Sequence, residues 1–174
     1  MGQRFNTKTV HFQVKDTAKN MSKNQPIYQT SAFTFKDLDD MESFYKGEKQ
    51  YLYSRFGNPN TDDLGKGVAV LEGAEDGVAA SSGMAAILVG ILAIVQPGEH
   101  IVASEDLYGG TYQLLAVELK QFGIDVSFVS FETREDILGA IKDNTKLLYT
   151  ESVTNPLLRV EDLKRVMEIA KEYQ

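Results

Sequence analysis

Cysteine is absent from this chain of 174 residues, which rules out a disulfide framework, a thiol nucleophile and a thiolate metal site. Histidine is nearly absent: His11 and His100 stand far apart in the sequence. Neither has a metal-ligand spacing, so both read as structural and no metal is expected. Positive charge is scarce, with 18 Lys and Arg against 25 Asp and Glu and a net charge of −7. That balance argues against general nucleic-acid affinity and against docking on an anionic membrane. No internal repeat or low-complexity tract is visible. The opening residues show no basic segment followed by an apolar one, so the expectation is an intracellular, cytoplasmic protein. What is present, 43% hydrophobic and 25% charged residues, is ordinary for a globular domain with a real core.

The stretch Gly77–Gln96 carries no charge. Ser81–Ser82–Gly83 divides it, and the apolar helix that remains, about 12 residues, is too short for a bilayer core of roughly 30 Å. It reads instead as a buried strand (Gly77–Ser81), a Ser-Ser-Gly-Met turn and a helix from about Ala85. Free N–H groups and the positive end of a helix dipole then converge at the turn, where an anion such as phosphate binds. A core helix with an empty Ser-Gly turn is the plain alternative.

Before this stretch, residues 1–50 are polar, with Pro26 in NQPIYQTSAFTF and an extended arm expected over Ile27–Phe35. Asp37–Tyr45 is predicted as a short helix with Leu38, Met41, Phe44 and Tyr45 on one side, ended by Gly47. The region has little to build its own core with, so it is expected to lie across the rest of the chain or a second subunit. From Thr61 helices and strands alternate. A helix capped by Thr61 or Asp62 is expected to reach Leu71–Glu72 with Leu64, Val68 and Leu71 on its inner face, weakened by Gly65 and Gly67. Strands are predicted at Glu99–Ala103, Ile124–Ser130 and Lys146–Thr150. Helices are predicted at Thr111–Phe122 (inner face Leu114, Leu115, Glu118, Phe122), Thr133–Ile141 and Val160–Tyr173 (inner face Leu163, Val166, Met167, Ala170). Such alternation implies an α/β fold, a mostly parallel sheet with helices on both faces. Ligands bind beyond the carboxyl ends of such strands.

Three loops leave those ends: Ser81–Met84, Glu105–Thr111 and Glu151–Pro156. The first offers the N–H groups of Gly83 and Met84, with Ser82 beside them. The second places Tyr108 next to two glycines, a flat aromatic face suited to a planar ring; a glycine turn with Tyr108 packed for structure is the alternative. In the third, Asn155 precedes Pro156 and is held out of the helical region, which leaves its amide free to point into the ridge; a plain connecting loop is the alternative. Upstream, Tyr53 and Arg55 lie two apart on a segment read as extended, a phenol and a guanidinium that together make a phosphate clamp, or else an aromatic loop with a solvated arginine.

The blocks YSRFGNP, LEGAEDGVAASSGMAAI, DLYGGTYQLL and ESVTNPLLRVEDL, in this order and spacing, resemble the Cys/Met-metabolism family of pyridoxal-phosphate enzymes. That family includes cystathionine γ-synthase, cystathionine γ- and β-lyases, methionine γ-lyase and O-acetylhomoserine sulfhydrylase. The resemblance runs from about Pro26 to the last residue. It implies the large domain of a PLP-dependent transferase (aspartate aminotransferase-like, fold type I), with residues 1–50 as an arm contacting a neighbouring subunit and 51–174 as the first part of the PLP-binding domain. It implies pyridoxal 5'-phosphate as cofactor, an amino-acid substrate and a homotetramer built as a dimer of dimers, with no nucleic-acid or membrane partner. Gly83, Met84 and Ser82 match the phosphate ligands. Tyr108 matches the tyrosine that stacks on the pyridine ring and takes part in proton transfer. Glu151 and Asn155 match positions at the ring's hydroxyl side and substrate end. Tyr53 and Arg55 match the pair that reaches a neighbour's cofactor phosphate.

Asn60 stands where the family usually has Thr, and Gly65 and Gly67 where good helix formers are usual; these are expected to loosen the first helix. The family's Schiff-base lysine, the aspartate paired with the pyridine nitrogen and the substrate-carboxylate arginine have no counterpart before Gln174. The chain therefore reads as the amino-terminal portion of a lyase or transferase of sulfur amino-acid metabolism, incomplete at the carboxyl end and inactive alone. A non-catalytic phosphate-binding module, or a fragment that only contributes to an oligomer, is the rival reading.

Overall fold

A computed structural model describes residues 4–11 (backbone alone at 10 and 11), 24–48 and 51–173. The reading of His11 falls outside the described side chains. The chain divides into two compact units, Met1–Ala80 and Ser81–Gln174.

The first unit contains helices α1 (Phe5–His11), α2 (Leu38–Tyr45) and α3 (Pro59–Glu72). Asp37 caps α2 by accepting the Asp40 N–H, and Gly47 follows the helix at φ +77°. None of its apolar residues is buried. The extended arm pairs briefly with the segment before α3, through Phe33 N–H to Leu52 O and Ser54 N–H to Ser31 O. The cap of α3 is Asn58, three or four residues earlier than expected, because Asn58 Oδ1 accepts the Asn60 N–H and Pro59 fills the first turn. Pro is favoured there since its missing N–H is not needed.

Asn60 does not loosen the helix. Its amide accepts the Tyr28 N–H at 2.7 Å and donates to Pro26 O at 2.8 Å, while Asn58 Nδ2 donates to Tyr28 O. Two asparagines thus bind the arm's backbone to the start of α3.

The inner face of α3 also differs from the expected one. Leu64 and Val68 are exposed, while Gly65, Gly67 and Ala69 are buried. A Cβ on Gly65 would lie 2.1 Å from Gly77 O, and one on Gly77 would lie 2.4 Å from Gly65 O. The glycines buy contact between two backbones that no other residue permits. The same contact explains why Gly77–Ser81 is not a strand. The Gly77 carbonyl faces α3 and its N–H is taken by Asp76 Oδ1, so neither is available to a ladder.

The second unit holds α4 (Gly83–Leu92), β1 (His100–Ser104), α5 (Gly109–Gln113), a π turn (Leu114–Glu118), α6 (Leu119–Gln121), β2 (Asp125–Val129), α7 (Arg134–Ala140), β3 (Thr145–Tyr149) and α8 (Leu163–Glu172). The three strands form one parallel sheet in the order β2-β1-β3, with Val102 opposite Ser127 and Leu148. Every residue of β1 is buried. Ile101 and Ala103 enter one core with Ile91 within α4, Val95 after it, Leu107, Leu115, Leu119 and Ile124. Val102 enters the other with Phe131, Ile137, Val166 and Ile169. Helices therefore cover both faces, as the alternation predicts. An ion pair between Arg134 and Glu172 joins α7 to α8.

Two helix faces shift from their expected positions. The π turn, closed by i→i+5 bonding, inserts an extra residue per turn. The buried position thereby moves from Glu118 to Leu119 and leaves Phe122 exposed. In α8, which starts at Leu163 behind the Asp162 cap, Ile169 is buried and Met167 is exposed. α4 is apolar all round, yet Val89, Leu92 and the following Ile94 are exposed. No helix among the described residues is long and apolar enough to cross a membrane.

His100 ties the three strands together at their amino ends. Its Nδ1 lies 2.8 Å from Thr145 Oγ1 in β3 and its Nε2 2.9 Å from Ser127 Oγ in β2. Thr145 Oγ1 already accepts the Lys142 N–H. In the neutral imidazole one of the two ring nitrogens donates to its hydroxyl and the other accepts. Burial pushes the imidazole below its ordinary 6.5, Lys142 adds to this and Asp125 opposes it.

Two measurements follow. Gly65→Ala gains helix propensity of about 1 kcal/mol but is expected to destabilise by about 1–3 kcal/mol because the new methyl overpacks against Gly77. Gly90→Ala, whose Cβ would meet nothing within 4 Å, is expected to stabilise. Urea unfolding decides the sign, and a stabilised Gly65→Ala would refute the backbone contact. For His100 the unfolded chain takes up the proton first, so stability is full above pH 6.5 and falls as pH drops below it toward the lowered folded value. A His100→Gln variant is expected to lose that part of the pH slope in thermal unfolding.

Candidate active site

Parallel pairing places the ends of β1, β2 and β3 at one edge of the sheet, and the structure joins the loops that leave it. The first joint is between two residues singled out in the sequence: the Tyr108 N–H donates to Glu151 Oε1 at 3.1 Å. Tyr108 sits at the head of α5 without capping it by its side chain, and the residue is half exposed (49%). Gly110 has a specific task here. A Cβ on it would lie 2.6 Å from Tyr108 Cε1, whereas Gly109 has nothing within 4 Å. The second glycine makes room for the tyrosine ring itself.

The loop after β3 closes on itself. Val153 and Val160 form an antiparallel bridge, and the Thr154 N–H donates to Arg159 O at 2.9 Å. Thr154 is buried, and its Oγ1 accepts the Arg159 N–H. Asn155 is exposed at the tip before a cis Asn155–Pro156 bond. Its side chain makes no hydrogen bond among the described residues; the residue that holds the loop is Thr154.

Arg159 was not anticipated. Its Nη1 lies 2.9 Å from Asp106 Oδ2 in the loop after β1 and 3.0 Å from Glu132 Oε1 in the loop after β2. The available signal was one arginine in a set of edge loops otherwise rich in Asp and Glu. Nearby, burial pushes the Glu161 carboxyl up while Arg165 opposes that shift. Arg165 in turn donates to Phe131 O.

The Ser82–Met84 turn starts α4 as expected. Ser82 is its N-cap, with Oγ accepting the Ala85 N–H at 3.1 Å, which leaves the hydroxyl proton free to donate. The N–H groups of Gly83 and Met84 have no partner among the described residues. A Cβ on Gly83 would meet nothing within 4 Å, so packing does not require the glycine and the space before it is open. Beyond α4, Gly98 bonds to Gly123 at the amino edge, and α4 packs along α5, which starts at the opposite edge. The N-terminus of α4 therefore faces the edge that carries Tyr108 and Glu151. Three donors with no acceptor among them suit a phosphate.

In the first unit Tyr53 and Arg55 lie together, but not on an extended segment. Phe56 N–H and Gly57 N–H both return to Tyr53 O in a tight turn. The Arg55 guanidinium sits over the Tyr53 and Phe56 rings, 5.4 and 5.3 Å from their centroids. It has no carboxylate partner among the described residues, so its donors are open to an anion.

The fold is that of a fold type I PLP-dependent enzyme domain, in part. The profile of the Cys/Met metabolism PLP-dependent enzymes matches residues 6–174, and the chain belongs to that family. It is 40% identical over 150 residues to L-methionine gamma-lyase of Porphyromonas gingivalis, covering 86% of this chain and 38% of that protein. It is 37% identical over 166 residues to cystathionine beta-lyase MetC of Bacillus subtilis, covering 95% and 40%. A crystal structure from Campylobacter jejuni assigned as an O-acetylhomoserine (thiol)-lyase superposes with a TM-score of 0.89 at 31% identity, over 99% of this chain and 43% of that one. It carries an N'-pyridoxyl-lysine-5'-monophosphate. The chain thus spans about two fifths of the length of the curated relatives it matches.

Gly110→Ala is expected to push the Tyr108 ring away. Nuclear Overhauser contacts between the Tyr108 ring and residue 110 should be lost while those among Leu107, Leu115 and Leu119 persist. Retained ring contacts would overturn the close-packing argument.

Proposed function

We propose that this chain supplies the phosphate-binding and ring-stacking part of a PLP-dependent lyase or transferase of sulfur amino-acid metabolism, acting on cystathionine, methionine or an activated homoserine. The observation that carries the reading is the Tyr108–Glu151 bond, which fixes an aromatic face and a carboxylate at the edge toward which the free donors of α4 point. PLP, when bound, supplies an electron sink for carbanion chemistry.

The chain's own residues take distinct parts in this proposal. The Gly83 and Met84 N–H groups and the Ser82 hydroxyl bind the phosphate. Tyr108 stacks on the ring and moves a proton at its phenol oxygen. Glu151 holds the Tyr108 backbone, and Asn155 lies toward the ring's hydroxyl side. Tyr53 and Arg55 reach the phosphate site of a neighbouring subunit, with residues 1–50 as the arm that brings them there. Exposed Val89, Leu92 and Ile94, together with Leu38 and Tyr45 on α2, support a larger assembly, since apolar surface of this kind is usually covered; a cytoplasmic dimer of dimers fits. The edge loops 81–84, 105–108, 130–133 and 150–162 contain no lysine, so the chain alone is expected to bind cofactor without turnover.

The test is a visible-absorbance titration of the natural protein with pyridoxal 5'-phosphate. Gly83→Asp places a carboxylate among the phosphate donors where there is room for it, and is expected to weaken uptake on the order of 100-fold through like-charge repulsion. Absence of uptake by the wild type, or equal uptake by the variant, refutes the assignment.

A further inference from the structure

One residue at the edge has no part in the proposed reaction. Arg159 reaches two loops with its side chain and a third with its backbone. We infer that Arg159 is a positioning residue, a clasp that joins the loops after β1, β2 and β3 and so sets Tyr108 against Asn155. The inference rests on the reading of this edge as the cofactor site.

The geometry gives the clasp two attachment points. Asp106, two residues before Tyr108, is held by Arg159 Nη1 at 2.9 Å, and Tyr108 itself is held through its N–H by Glu151. Both partners, Glu151 and Arg159, belong to the single loop after β3. One joint alone would leave the Tyr108 loop free to swing about it; two joints on either side of Leu107 remove that rotation. Arg159 is in turn fixed through its backbone to buried Thr154, which precedes Asn155: its carbonyl accepts the Thr154 N–H and its N–H donates to Thr154 Oγ1. A displacement at Asp106 is therefore transmitted to Asn155 through three bonded residues. The third arm, Glu132 at 3.0 Å, braces the guanidinium from the β2 side.

Charge supplies a second argument. Asp106, Glu132, Glu151 and Glu161 gather at an edge that is to receive an anion. Arg165 donates to the Phe131 carbonyl and its charge acts on Glu161, while Arg159 pairs with Asp106 and Glu132. Its side chain is half exposed (52%), and pairs of that kind contribute little to global stability. A clasp of this type sets geometry and leaves the unfolding midpoint nearly unchanged, which separates it from a merely structural residue.

Hydrogen exchange and pyridoxal 5'-phosphate titration of the natural protein at its full length test the inference. Arg159→Gln is expected to speed exchange in residues 105–111 and 152–160 together. It should raise the cofactor dissociation constant on the order of fivefold while the urea midpoint stays in place. Both ion pairs run through one nitrogen, so Arg159→Lys is expected to restore most of the protection. Glu132→Gln should give a smaller effect of the same pattern. Exchange that rises only in 152–160, or not at all, overturns the clasp whether or not cofactor binds. A wild type that takes up no cofactor overturns the reading of the site, and the exchange result still decides the clasp.

Discussion

Parallel hydrogen bonding of β1 to both β2 and β3 is the constraint from which the rest of the second unit follows. Parallel strands send their carboxyl ends to one edge, and each must return by a crossover on a face of the sheet. The central strand pays for this with complete burial, and it can do so because His-Ile-Val-Ala-Ser offers apolar side chains to both cores and a histidine whose two nitrogens are both bonded. The loops after β1, β2 and β3 are then neighbours by necessity. Whether they cooperate depends on a few polar side chains: Glu151 on the Tyr108 amide, and Arg159 on Asp106 and Glu132.

The first unit is organised by different physics. Among its described residues few apolar side chains are buried, and prominent specific contacts are amide to backbone and ring to ring. Asn58 and Asn60 hold the arm at Pro26 and Tyr28. Tyr28, Phe33 and Tyr51 form a chain of rings with centroids 6.4 and 5.4 Å apart. The Tyr51 hydroxyl donates to Asp62 at 2.9 Å, and its pKa is pushed above the ordinary range by burial and by that carboxylate. An asparagine can donate and accept at once, which suits it to bind a passing backbone. That is what Asn60 contributes in a position where the resemblance led one to expect threonine.

The alternation of helices and strands, the helix starts near Asp37 and Thr133, the Ser82–Met84 turn into α4 and the convergence of the loops after β1 and β3 were legible because each rests on local spacing or on parallel topology, whereas the cap expected at Thr61 or Asp62 proved to be Asn58. The failures have one cause in common: they depend on contacts that spacing does not encode. Gly65 and Gly77 look like weak points in a helix and a strand until their backbones are seen in contact. The π turn displaces a periodicity that is otherwise regular, moving burial from Glu118 to Leu119. Thr154 is hidden beside a more conspicuous Asn-Pro pair. Arg159 offered only a weak signal because its partners, Asp106 and Glu132, lie 53 and 27 residues away in sequence.

The edge also has a polarity that bears on how a ligand lies along it. At α4 the available groups are two backbone N–H donors and a serine hydroxyl, with the helix dipole behind them and no carboxylate in the turn. At the ends of β1 and β3 the groups are an aromatic ring, Glu151 and the carboxylates gathered around Arg159. A dianionic phosphate is favoured at the first end by charge and repelled at the second. A planar ring finds a face only at the second. Under the proposed function these two preferences act on opposite ends of one cofactor, so its direction along the edge is set before any covalent attachment is made. The Arg159 clasp then matters for a reason beyond geometry. By pairing Asp106 and Glu132 it lowers the net negative charge at the ring end, so the phosphate's preference rests on the donors at the head of α4 more than on repulsion from the carboxylates.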